Sequence, residues 1–169
     1  SYPVLLFLHG IGERGDNNTS QLATNTGILK RLTGMEGDSY KCIIVAPQCP
    51  SDDTWCNPDN NCVDTSESVV WNNYDVETTV TTNANIMAYE LLQSVISEYN
   101  ADSDRIYGAG VSMGCFGVMN MAMNHPRLFS AVAAVCGGTD SDAAYRLYGT
   151  SVWFFHGGSD RTVSVDNSR

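Results

Sequence analysis

Five short runs of apolar or small residues punctuate this chain: PVLLFL (3–8), KCIIVA (41–46), DRIYGAG (104–110), AVAAVC (131–136) and VWFF (152–155). They lack the apolar/polar alternation of a strand with one wet face, so each reads as a strand buried on both faces. Helix-like stretches lie between them. SQLATNTGILKRL (20–32) opens on a Ser N-cap candidate. VETTVTTNANIMAYELLQSVISEY (76–99) offers Val80, Ile86, Met87, Leu91, Val95 and Ile96 as an apolar face. SMGCFGVMNMAMNH (112–125) is stopped by Pro126. Strands alternating with helices predict an α/β fold, a mostly parallel central sheet with helices on both faces. With 169 residues, 43% hydrophobic and 17% charged, the chain reads as one globular domain, 1–169.

Charge and cysteines narrow the function classes. A net charge of -10 repels polyanions, and no Lys/Arg block offsets it, so nucleic acid is not an expected partner. The apolar runs are strand length, too short to span a membrane. Of six cysteines, Cys42, Cys49, Cys56 and Cys62 cluster, but without C-x-x-C spacing or a nearby His, so no metal site is expected. One or two disulfides in the Cys49–Cys62 loop would suit an exported protein, while Cys42 and Cys136 sit in apolar runs as buried thiols. The acidic, Asn/Thr/Ser-rich, Lys-poor composition leans to secretion, with a cytoplasmic location as the alternative. The segment 47–75, rich in Pro, Asn and Asp, is long for a loop and carries Trp55, Trp71 and Tyr74.

The strongest chemical signal is Gly110-Val111-Ser112-Met113-Gly114. A G-x-S-x-G serine works as a nucleophile when a strand ends in a sharp turn that enters a helix and small neighbours leave room for that turn. DRIYGAG before it, a helix-like run after it, and glycines at 108, 110, 114 and 117 meet those conditions. The helix N-terminus then favours negative charge at Ser112. Such a serine needs a base oriented by an acid, in the chain order Ser, acid, His. Asp160, in the loop beyond the last strand, is the expected acid, and Asp140, after AVAAVCGG, is its rival. No histidine follows Asp160. His9 precedes a glycine loop and shapes it, His125 lies ~18 Å along the helix from Ser112, and His156 ends a strand before the acid. The base is therefore expected outside these residues, the alternative being a hydrolase fold without hydrolysis.

VLLFLHGIGERG (4–15) also fits G-x-G-x-x-G, the dinucleotide fingerprint. That reading fails downstream. DNNTSQ postpones the helix after Gly15, Glu13 and Asp16 would crowd a pyrophosphate, and the next strand ends in VAPQC without an acid. An oxyanion hole asks only for one backbone N–H from this loop, at Ile11 (or Gly12), and one from Met113.

LHGIGERGDNN, VAPQCPSDDTW, DSDRIYGAGVSMGCFG, HPRLFSAVAAVCGG and HGGSDRTVSV together resemble the esterase branch of the α/β-hydrolase superfamily, within it the polyhydroxybutyrate-depolymerase/feruloyl-esterase-like carboxylesterases. The resemblance covers nearly the whole chain. It implies Ser112 as nucleophile, Asp160 as acid, Ile11 and Met113 as oxyanion amides, and Gly10, Gly12 and Trp55 at the substrate, Trp55 being otherwise a plain loop anchor. The chain departs from the family at Cys115, where a Gly is usual. It also lacks the family's first strands and its terminal strand, helix and His, so the implied hydrolase fold is incomplete.

The expected function is a serine carboxylic-ester hydrolase working through an acyl-enzyme on a small-molecule or polysaccharide-linked ester, with no metal or organic cofactor. The loop aromatics would suit aryl or carbohydrate-linked esters. The alternatives are a prolyl-oligopeptidase-type serine peptidase and a non-catalytic binding module on the hydrolase fold.

Overall fold

The computed structural model describes residues 1–23, 27–34, 41–57 and 74–169. Five parallel strands form one sheet in the order β2-β1-β3-β4-β5, with β1 Tyr2–Leu8, β2 Ile43–Val45, β3 Ala101–Val111, β4 Ala131–Val135 and β5 Ser151–Phe155. Each strand falls on one of the five runs. Register pairs Leu8 with Gly110, Val111 with Val135, and Val135 with Phe155. The residues just past those ends, His9, Ser112, Cys136 and His156, therefore share the carboxyl edge of the sheet, where ligands of such sheets bind.

Helices α1 (Ile28–Thr33), α2 (Asn83–Glu98) and α3 (Met113–Asn124) cover the sheet unevenly. The main core lies between the sheet and α2/α3, where Leu6, Leu8, Leu92, Phe116, Met119 and Phe129 are buried. Close approach depends on missing side chains: a Cβ on Gly108 would stand 2.7 Å from Val118 Cγ2. On the other face α1 packs through Leu29 against Phe7 and Ala109. An apolar cleft of about 460 Å³ remains there, lined by residues such as Leu5, Tyr107, Ala133 and Trp153.

The helices correct the sequence reading in two places. The second is shorter than 76–99: Thr82 caps it, its side chain accepting from the Asn85 N–H, so residues 76–82 lie outside it. Its buried face is Ala84, Asn85, Ala88 and Leu92, while Val80, Ile86, Met87 and Leu91 are exposed. Small residues let the helix axis approach the sheet, a gain that counting large apolar side chains misses. Among the described residues of 20–32 there are a 3-10 turn (Ser20–Leu22) and α1, which begins after Gly27 at φ 57°.

Cys49 corrects the disulfide expectation: it is a buried free thiol, pushed up to about 12 by burial. Cys62 and Trp71 lie outside the described residues. No helix of the described residues is long and apolar enough to cross a membrane.

Candidate active site

Ser112 occupies the turn between β3 and α3 with φ 54° and ψ -118°. A non-glycine residue there costs on the order of 1–3 kcal/mol and persists only when its surroundings over-determine it. They do: the Ser112 N–H donates to Val135 O at 2.8 Å, and Ser112 O accepts from the Cys115 N–H at 2.8 Å. The flanking glycines leave the necessary space. A Cβ on Gly110 would stand 2.1 Å from Gly114 O, and one on Gly114 would stand 2.0 Å from Leu8 O. The turn is thus wedged against the end of β1, which continues into the glycine loop. As the first residue of α3, Met113 has an N–H with no partner inside the helix.

The glycine loop meets this turn. A Cβ on Gly10, which is buried, would lie 3.7 Å from Val111 O and 3.9 Å from Ser112 Cβ. Ile11 follows, 41% exposed, at the start of a 3-10 turn (Ile11–Glu13). The orientation of its amide comes from His9. The ring's Nε2 accepts from the Cys49 N–H at 2.9 Å, so the proton is on Nδ1, which donates to Gly10 O at 2.6 Å. Gly10 C=O and Ile11 N–H belong to one rigid, trans peptide unit. Anchoring the carbonyl on His9 turns the amide to the opposite side. His9 is 1% exposed, and burial pulls its pKa below the ordinary histidine value. Gly12 is exposed, with open space where a side chain would be.

Asp160 lies past the end of β5, two strands from Ser112. Its Oδ1 accepts from the Thr162 and Val163 N–H groups at 2.8 and 3.0 Å, and Oδ2 stands 3.6 Å from His156 Nε2. Those backbone bonds first, and the His156 charge last, hold its carboxyl below the usual carboxylate range. One oxygen fixes the loop and the other faces His156. Asp140 differs. Its Oδ1 accepts from Asp142 and Ala143 N–H, and its Oδ2 from Val76 N–H at 3.1 Å, so both oxygens tie loops together. Cys136 stands between Ser112 and Asp160. Burial pushes its thiol up, the Ser112 N–H pulls it down, and the Asp160 charge pushes it up.

The hydrogen bonds and ring contacts of the three histidines go to groups other than Ser112. Both His9 nitrogens are engaged in the loop. His125 stacks on Tyr89 at 3.9 Å beyond the far end of α3, and burial lowers its pKa. His156 contacts Ser168 Oγ at 2.6 Å and Val163 O at 3.1 Å.

Trp55 requires a correction. It is 1% exposed and presents no face to a substrate. Its Nε1–H donates to His9 O at 3.0 Å, its ring meets His9 edge-on at 5.2 Å, and its Cβ fills the space a Gly117 side chain would need. Asn85, also buried, donates to both Trp55 O and Gly117 O. Trp55 is a core anchor beneath the glycine loop. Residues that motif reading passed over also support that loop, Arg14, Gln48 and Asp53 among them. Arg14 donates to Ile11 O and Asp53 O, and Gln48 bonds to the loop's far side. The only sequence signal for them was their place inside GERGDNN and APQCPSDD. Among the described residues, no group of three or more His, Cys, Asp or Glu side chains could hold a metal ion.

Residues 1–158 match the family model Esterase, described as "Putative esterase". The chain is 32% identical to a thermostable esterase of known crystal structure, with a TM-score of 0.81, over 100% of this chain and 42% of that one. It thus spans less than half the length of that protein. Esterase PE8 (18% identity, TM-score 0.61, 99% of this chain and 74% of that) shares the fold. So does an acetyl xylan esterase from Aspergillus awamori (14%, 0.62, 99% and 66%). No curated protein matches.

Proposed function

Because this chain belongs to the Esterase family and has the α/β-hydrolase fold, we propose that it carries the nucleophile, acid and oxyanion amides of a serine carboxylic-ester hydrolase. The observation that carries the proposal is the strained Ser112 turn, wedged against the loop whose Ile11 amide His9 orients. In the reaction, Ser112 Oγ attacks the ester carbonyl carbon. Its proton passes to a histidine supplied from outside these residues, held by the Asp160 carboxylate. The carbonyl oxygen becomes an oxyanion facing the Ile11 and Met113 N–H groups, each such donor contributing about 3 kcal/mol to the transition state. Collapse expels the alcohol, which takes the proton and leaves an acyl-serine. Water, deprotonated by the same base, then releases the acid and restores Ser112.

The aromatic argument for aryl or carbohydrate-linked esters loses Trp55 and Tyr74, both buried, so the proposal extends to the ester class alone. It is tested by treating the full-length protein with a fluorophosphonate and mapping the adduct. Labelling of Ser112, its loss in Ser112→Ala, and hydrolysis of p-nitrophenyl esters are expected. A folded protein that takes no label would refute the mechanism and favour a non-catalytic module. Labelling with cleavage of prolyl peptides but not esters would move it to the peptidases.

A further inference from the structure

We propose that Gln48 is a positioning residue of the oxyanion hole, acting through the loop that carries Ile11. The inference rests on the serine-hydrolase reading above. Gln48 lies three residues beyond β2, and its carboxamide is spent on one stretch of chain. Nε2 donates to Glu13 O at 2.9 Å and to Asn17 Oδ1 at 3.2 Å, while Oε1 accepts from the Asn18 N–H at 2.6 Å. The loop wraps closely around it: a Cβ on Gly15 would stand 3.0 Å from Nε2. With its donors and acceptor satisfied internally, the carboxamide is committed to holding the loop rather than to a substrate.

The neighbouring residue completes the attachment. The Cys49 N–H donates to His9 Nε2, and Cys49 O accepts from the Gly15 N–H at 2.9 Å. The segment from His9 to Gly15 is therefore an arch with both feet on residues 48 and 49, and Ile11 stands at its exposed crown. The crown has no buried apolar side chain of its own, since Ile11 and Gly12 are exposed and Glu13, Arg14 and Gly15 only half-buried. Hydrogen bonds at the feet do the positioning that packing does elsewhere. His9 sets the tilt of the Gly10–Ile11 peptide at one foot, and Gln48 keeps the other foot from sliding. Because Gln48 binds a surface loop, losing it should loosen that loop and spare the core.

The test compares wild type with Gln48→Met, of similar length but without the carboxamide, and with Gln48→Glu. The glutamate keeps the acceptor for Asn18 but sets a second carboxylate oxygen against Glu13 O and Asn17 Oδ1. Three quantities are measured on the full-length protein: the rate of Ser112 phosphonylation, kcat and KM on a p-nitrophenyl ester, and inhibition by a boronic acid that forms a tetrahedral adduct on the serine. Gln48→Met is expected to lower kcat and labelling about tenfold to a hundredfold, the scale of a donor displaced by about an ångström. KM should stay within about twofold, boronate affinity should fall in step with kcat, and the unfolding midpoint should be unchanged. Gln48→Glu should be slower still. Unaltered kcat in Gln48→Met, a rise in KM alone, or a loss that follows the unfolding midpoint would overturn the assignment. Absence of labelling in wild type would instead overturn the underlying mechanism, so the two failures are distinguishable.

Discussion

Gly114→Ala tests the contact on which the site depends. The new methyl would begin 2.0 Å from Leu8 O, 2.5 Å from Leu8 C and 2.6 Å from His9 O. All three are backbone atoms, so no side-chain rotation relieves the overlap. Ordinary contact requires the end of β1 and the first turn of α3 to separate by more than about 1 Å. β1 is paired on both sides, to β2 and β3, so most of the movement falls on α3 and with it on Ser112 and the Met113 amide. The Ile11 amide, on the β1 side, does not follow. An ångström of misplacement at a reacting centre costs about 10²-fold in rate. Overpacking costs about 1–3 kcal/mol, partly offset by alanine's higher helix propensity, roughly 1 kcal/mol. The expected result is a kcat about 100-fold lower on a p-nitrophenyl ester with a modest drop in urea stability. Gly158→Ala, where nothing lies within 4 Å of the added carbon, should behave as wild type. A Gly114→Ala variant with kcat within twofold of wild type would refute the wedge between β1 and α3 and the coupling drawn from it.

Asp160→Asn should lower kcat by about 10⁴-fold with little loss of stability, the scale for a triad acid. Asp140→Asn should leave kcat near wild type and cost about 1 kcal/mol in urea. A reversal between the two would reassign the acid. His9, lowered by burial, binds its proton more weakly folded than unfolded. Its contribution to stability is therefore full above the unfolded value of about 6.5 and declines as pH falls from there towards the lowered folded value, by at most about 1.4 kcal/mol per pH unit. His125, also lowered, adds in the same direction. Protonating His9 also sets an N–H against the Cys49 N–H, so activity should fall with acid. Urea titrations at pH 7.5 and 5.0 should give a smaller pH difference for His9→Phe than for wild type, and equal differences would contradict the neutral, Nδ1-protonated ring. Asp160, held low, loses its contribution only as pH drops further, through its lowered value. Trp55→Phe should cost stability by about 1 kcal/mol or more through the lost bond to His9 O while KM stays put. A selective rise in KM would restore Trp55 to the substrate site.

The strands were legible because continuous apolar runs between polar segments have few folded uses, and all five runs became strands. The serine turn was legible because its strain demands glycines at set positions. The α2 face was legible only in part: Val95 and Ile96 do pack against the core. Periodicity weighs large apolar residues, whereas the helix turned Ala84 and Ala88 inward for close packing and left Ile86 and Met87 in solvent. Trp55 was misplaced because sequence tells that a loop aromatic has a partner but not which one. Its indole donates to a carbonyl 46 residues earlier.

By itself, the sequence determined the parallel α/β class and the serine at a strand-helix turn, because those depend on local periodicity and on steric needs within a few residues. Tertiary structure decided what depends on distant atoms meeting. It tied both Asp140 oxygens to backbone N–H groups and set Asp160 Oδ2 beside His156. It set His9 as the hinge of the Ile11 amide through a backbone N–H forty residues away. It joined the GERGDNN and APQCP segments through the Gln48 carboxamide. A hydrogen bond needs two groups within about 3 Å at the right angle, and that relation is a property of the folded chain and of no segment alone.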